Sequence, residues 1–149
     1  MKIRAWPNFL IYCLSFFVAL SAQAEALNED NPFAEKYLLL QVSSRDQHAA
    51  VLNIASNLQK YYGPDMIDIQ VVTFAAGIEL LKADNNPLQP RVESLQAGGV
   101  RFYVCQNTID TLKQQRGVEF QSLESIGRVR SGVAYILEEV ERGYTLVAP

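Results

Sequence analysis

The chain has 149 residues, 49% of them apolar, and a formal charge of −3. That is enough apolar material for one domain with a sizeable core. Acidic residues outnumber basic ones, so no basic face is available to hold phosphates, and nucleic acid is excluded as a partner.

The first stretch, "MKIRAWPNFLIYCLSFFVALSAQA", has the three parts of a secretory signal. Lys2 and Arg4 give the positive start, Phe9 to Leu20 the apolar run, and Ala22 and Ala24 the small residues of a cleavage site. The run is too short to span a bilayer comfortably, and polar "EALNEDNP" follows in place of a stop-transfer pattern. An uncleaved anchor is the alternative. A lipoprotein signal is excluded, because bulky Tyr12 precedes Cys13 where a small residue is needed. The expectation is residues 1–24 as a signal peptide, 25–35 as a flexible leader and 36–149 as the folded domain. The mature protein would be periplasmic, with no stable membrane insertion. Cleavage after Ala24 removes two basic residues and leaves 125 residues with a charge of −5. It also removes Cys13, leaving Cys105 with no partner for an intramolecular disulfide.

Along the mature chain, short β-rich runs alternate with helical patterns, the signature of a parallel sheet with crossover helices. "KYLLLQVS", Lys36 to Ser43, is almost continuously apolar, as a strand covered on both faces should be. Val51, Ile54, Ala55, Leu58 and Tyr62 then recur at helical spacing until Gly63-Pro64, with Ser44 and Gln47 as a capping box or Asp46 as the cap. A second strand, Ile67 to Phe74, leads into "AAGIELLKAD". A loop "DNNPLQP", a helix from about Pro90 to Ala97 and a third strand, Val100 to Cys105, follow. Asn107 or Thr108 caps the next helix, whose Ile109 and Leu112 face inward, and Gly117 ends it. "VEFQSL" reads as a short fourth strand and "ESIGRVR" as a loop. Ser131 then caps a helix carrying Val133, Ile136, Leu137 and Val140; Gly143 closes it, and "YTLVA" is the last strand. The fold expected is α/β: a mostly parallel five-stranded sheet with helices on both faces.

All strands of a parallel sheet end on one edge, and ligands bind outside those carboxyl ends. Cys105 ends the third strand, and the helix begun at Asn107 or Thr108 directs its N–H groups and partial positive charge toward the sulfur, a setting that stabilises thiolate. The same edge should carry Ser44, Arg45 and His48 after the first strand and Gly77 after the second. Arg45 could hold a thiolate or an oxidised sulfur species, and Gly77 lets backbone come close. Each of these residues also has a plainer reading. A strand-end cysteine is often simply core. His48 suits the first turn of a helix facing water, Arg45 and Asp46 suit loop charges and caps, and Gly98-Gly99 suits a helix end. One His and one Cys without clustered ligands make a poor metal site, so neither a metal nor a cofactor is expected.

Several blocks in order, "LLLQVSSRDQHAAVLNIASNLQKYYG", "IDIQVVTFAAGIELL", "RVESLQAGGVRFYVCQNT" and "SGVAYILEEVERGYTLVAP", resemble the DsrE/DsrF-like family of small sulfur-relay proteins, in particular its exported branch. The resemblance implies a three-layer α/β/α domain, assembly into homo-oligomers such as trimers or hexamers, and a cysteine that carries sulfur as a persulfide. Cys105 matches that cysteine, and Asn107 holds its usual place two residues later. Export and the absence of a second mature cysteine depart from the familiar cytoplasmic relays. Two functions follow: a sulfur carrier exchanging with a donor or acceptor protein, or a non-catalytic oligomeric binding module with an inert, buried Cys105.

Overall fold

The computed structural model describes residues 31–149; the expected signal peptide and the start of the expected leader lie outside them. From Phe33 onward the chain forms one compact unit. The last expected leader residues are fixed to the sheet, where Glu35 N–H donates to Met66 O at 3.0 Å and the Tyr37 hydroxyl donates to Ala34 O at 2.7 Å.

Five strands, β1 (Lys36–Val42), β2 (Ile67–Thr73), β3 (Arg101–Cys105), β4 (Gly127–Val129) and β5 (Thr145–Val147), form a sheet in the order β4-β3-β2-β1-β5. Every pairing is parallel. Helices α1 (His48–Tyr62), α2 (Gln89–Ala97), α3 (Gln106–Arg116) and α4 (Gly132–Glu141) connect them, with short 3-10 segments at Arg45–Gln47 and Ala75–Leu81. Strands β1 to β4 are laid down side by side, and the apolar residues of β1, β2 and β3 on one face pack with α1, α2, α3 and the second 3-10 segment. The last connection returns across the sheet, so α4 packs on the opposite face with Leu39, Val72 and Tyr144. The result is the expected α/β architecture in three layers.

The central strand β2 is buried at all seven positions. Period-two alternation places Ile69 and Val71 on the first face and Asp68, Gln70 and Val72 on the α4 face. Its apolar side chains each contribute about 2 kcal/mol by leaving water. Its three polar ones, Asp68, Gln70 and Thr73, need partners, because an unpaired buried polar group is costly; Thr73 Oγ1 donates to Tyr103 O at 3.1 Å.

Two expectations change. The fourth strand is Gly127–Val129, inside the expected loop, and not "VEFQSL". Of the apolar residues of that segment Phe120 and Leu123 are buried and Val118 is exposed, and its backbone pairs elsewhere: Ser122 forms an antiparallel bridge with Lys82, and Leu123 N–H donates to Leu81 O at 2.9 Å. Its strand-like pattern therefore reflects a bridge to the 3-10 segment. On α4 only Ile136 of the expected apolar positions is buried; Val133, Leu137 and Val140 are 55%, 62% and 42% exposed. Helical spacing put these three on one stripe, and that stripe faces outward.

The 3-10 segment after β2 lies directly on the end of β1. A Cβ at Gly77 would stand 2.2 Å from Val42 O and 2.6 Å from Val42 C, backbone atoms that cannot swing aside. Gly77→Ala is therefore expected to destabilise the fold by about 2–3 kcal/mol, the scale of an overpacked core. A urea-denaturation midpoint equal to that of the unaltered protein would contradict this packing.

Candidate functional site at the carboxyl edge of the sheet

The chain leaves β3 toward one face and β4 toward the other, which makes the β3/β4 edge a topological switch point, the place where open parallel sheets form a crevice. Cys105 occupies it. As the last residue of β3 it is itself the N-cap of α3, in extended conformation (φ −74°, ψ 116°); the helix starts at Gln106, so the expected caps Asn107 and Thr108 lie inside its first turn. The N-terminus of α4 reaches the same point, where Gly132 N–H donates to Cys105 Sγ at 3.3 Å. Sγ also lies 3.9 Å from Arg130 O, which accepts from Asn107 N–H at 3.1 Å. The sulfur thus meets the N-terminus of α4, while α3 begins at the cysteine's own backbone and makes no capping bond to its side chain. Ser131 fixes the N-terminus of α4 by accepting from Ala134 N–H at 3.4 Å.

Gly132 is tied to this spot by space. A Cβ there would meet Phe74 Cδ1 at 3.1 Å and Cys105 Cβ at 3.5 Å, so a larger residue would require the ring to give by a few tenths of an ångström. Cys105 itself is 5% exposed. It is the only cysteine among the described residues.

Of the other candidates, Arg45, Asn107 and Thr108 line a neighbouring groove. A groove of about 900 Å³ runs between the 3-10 segment Ala75–Leu81 and α3, lined among others by Arg45, Phe74, Glu79, Asn107, Thr108 and Arg116. Thr108 Oγ1 accepts from Ala75 N–H at 3.1 Å and joins the two walls. Ala75 stands in the left-handed region (φ +47°), which costs an alanine about 1–2 kcal/mol. Arg45 pairs with Glu79, and this bond raises the guanidinium pKa and lowers that of the carboxylate. Ser44 and Gln47 form the expected capping box on the 3-10 turn Arg45–Gln47; Gln47 Oε1 accepts from Ser43 N–H at 2.8 Å and Ser44 N–H at 3.1 Å. His48 opens α1 partly buried. Burial lowers its pKa, the groups acting against that being Gly77, Glu79 and Asp46, and Nε2 has no hydrogen-bond partner among the described residues. Gly77 serves packing, as described above. The structure therefore brings Arg45, Asn107 and Thr108 to one groove, while the Cys105 sulfur points to the α4 side of the sheet. Among the described residues no cluster of three metal-ligating side chains occurs.

Two residues of this edge, Phe74 and Gly132, are not evident from the sequence alone. The signal for Gly132 was present in Ser131, whose cap marks the start of α4. Placing that start beside Cys105 required the true position of β4.

Beneath α4 lies a hydrogen-bonded polar layer. The Tyr135 hydroxyl donates to Gln70 Oε1 at 2.7 Å, Gln70 Nε2 donates to Glu139 Oε2 at 3.0 Å, and Arg142 Nη1 donates to Glu139 Oε1 at 2.9 Å. Arg101 Nη2 donates to both Asp68 oxygens, at 2.7 and 2.6 Å, and the Tyr144 hydroxyl donates to Asp68 Oδ2 at 3.0 Å. The polar residues of β2 thus meet their need for partners and anchor the helix that supplies Gly132.

Residues 35–149 match the DsrE/DsrF-like family. The chain belongs to that family, and a sulfur-relay-related role comes with membership. A solved structure of a protein of unknown function from Methanobacterium thermoautotrophicum is similar, with 25% identity and a TM-score of 0.64 over 77% of this chain and 100% of that one. No curated protein matches the chain.

Burial raises the pKa of Tyr135, on α4, and of Tyr144, beneath it, that of Tyr144 from 10.0 to about 12. Folded Tyr144 keeps its proton where the unfolded chain has lost it, so stability is full below pH 10 and falls as the pH rises toward about 12. Denaturation midpoints across this window should fall, and Tyr144→Phe should flatten the slope. An unchanged slope in that variant would show that Tyr144 does not carry the effect.

Proposed function

We propose that Cys105 is a sulfur carrier, and the observation that carries this reading is the Gly132 N–H on its sulfur at 3.3 Å, at the N-terminus of α4. The Cys105 thiolate attacks the outer sulfur of a donor R–S–SH. A new S–S bond forms at Cys105, the donor S–S bond breaks, and R–S⁻ leaves. A partner thiolate then attacks the outer sulfur of the Cys105 persulfide, takes it and restores the Cys105 thiolate. The Gly132 N–H holds negative charge at the sulfur before loading and after delivery. Asn107 and Thr108 fix the start of α3, and Arg45, paired with Glu79, lines the groove through which a sulfur donor or acceptor approaches. With one cysteine in the domain, the acceptor thiol belongs to a partner.

The 5% exposure of Cys105 favours a second reading, a binding module with an inert cysteine. Polysulfide treatment separates the two. The carrier gains the mass of one sulfur atom at Cys105 in the native state, and Cys105→Ser gains none. Sulfur uptake only after denaturation, in assembled and disassembled protein alike, would leave the binding module as the better reading.

The N-terminal pattern supports an exported, periplasmic protein, and the outward stripe Val133, Leu137 and Val140 supports a closed homo-oligomer, since apolar side chains at this spacing are otherwise left in water. Protein isolated from the periplasm should begin at Glu25 by mass and scatter light as a trimer or hexamer, while Leu137→Glu should yield monomers. A monomer at micromolar concentration in the unaltered protein would rule the assembly out.

A further inference from the structure

The groove and the sulfur lie on opposite sides of one side chain. Of the residues that line the groove, Phe74 alone also packs in the apolar cluster beneath α4, together with Val72, Tyr103 and Val129. Its ring reaches the Gly132 backbone, with Cδ1 3.1 Å and Cβ 3.4 Å from where a Gly132 Cβ would stand; the Cys105 Cβ is 3.5 Å from the same point. Phe74 and Cys105 follow the paired residues Thr73 and Val104, so they are cross-strand neighbours at the sheet edge. Phe74 is half-buried, whereas the two residues after it, Ala75 and Ala76, are exposed and carry no bulk that could replace the ring.

We infer that Phe74 is a specificity-determining residue, a partition between the groove and the Cys105 sulfur that admits small sulfane-sulfur donors, of the size of an inorganic polysulfide or a low-molecular-weight persulfide, and holds back a bulky or protein-borne one. The inference rests on the carrier reading for its biological sense, but its geometry is independent of sulfur chemistry. The ring is an apolar plate with no hydrogen-bonding group, so it presents nothing to bind a donor and acts by occupying space. A reagent larger than the gap beside it reaches Cys105 only when the ring turns aside, and a residue held by packing alone opens locally at a modest cost. Backbone movement is not required: Phe74 N–H stays bonded to Val42 O at 3.0 Å while the side chain turns about its own bonds.

The test compares two alkylating reagents on the native full-length mature protein, iodoacetamide as the small one and a pyrene maleimide as the large one. Phe74→Ala should raise the large-to-small rate ratio at Cys105 by about tenfold or more, because access no longer waits for a local opening. Phe74→Leu, which keeps apolar packing and guards against a variant that fails to fold, should raise it less, and Phe74→Trp should lower it. Thermal midpoints establish that the variants compared are folded. An unchanged ratio in folded Phe74→Leu and Phe74→Trp would overturn the partition. The sulfur-carrier reading fails by a different result: no sulfur added to Cys105 by polysulfide in any variant, including those in which the large reagent reaches it.

Discussion

The reversal of chain direction after β4 is the constraint on which the rest of this structure depends. Four strands are added in one direction with their connections on one face, and a single helix carries the chain back over the other face to pair β5 with β1. A right-handed parallel crossover allows this only if α4 lies across the opposite side of the sheet. Its N-terminus then has to start beside the end of β3, so the N–H of Gly132 and the sulfur of Cys105 meet because of topology. The polar layer of Asp68, Gln70, Tyr135 and Glu139 is a further result. A helix that covers one face alone leaves β2 buried on both sides, and the polar residues of that strand fix where the helix sits.

Much of this fold is written locally. The apolar runs of β1, β2 and β3, the capping box at Ser44 and Gln47, and the glycines that close α1, α3 and α4 are each decided by neighbouring residues, and their positions in the sequence agree with the structure. The position of β4 is not decided locally. Gly127-Arg128-Val129 has one strongly apolar side chain and becomes a strand because β3 offers it an edge, whereas "VEFQSL" has the better pattern and no edge within reach. The stripe on α4 shows the same limit from another side. Helical spacing states that Val133, Leu137 and Val140 share a face, but it does not state whether the chain's own core or something outside it covers that face.

The candidate site divides along the same line. Cys105 at a strand end, with a helix starting just after it, follows from adjacent residues and was legible. Asn107 and Thr108 join it through backbone and side-chain bonds that span the edge. Arg45 was expected because it follows β1 on the same edge, and it does line the groove, but Glu79 holds it there. Phe74 and Gly132 depend on which strands are neighbours and which face each connection takes. These facts belong to the whole sheet, and no short motif encodes them.

Helix α4 carries the donor to the sulfur at its first residue and the outward apolar stripe along its length, so under the proposed carrier and assembly readings two equilibria would share one element ten residues long. A persulfide places a second sulfur atom about 2.05 Å beyond the first, in a space bounded by Phe74 and the start of α4. Any free-energy difference that this extra atom imposes on the position of α4 is felt by whatever covers the stripe. Linkage then makes the exchange reciprocal: the factor by which association alters the affinity of Cys105 for sulfur is the factor by which bound sulfur alters association. On the proposed carrier and assembly readings, the backbone at position 132 is the point through which cargo and association would exchange free energy.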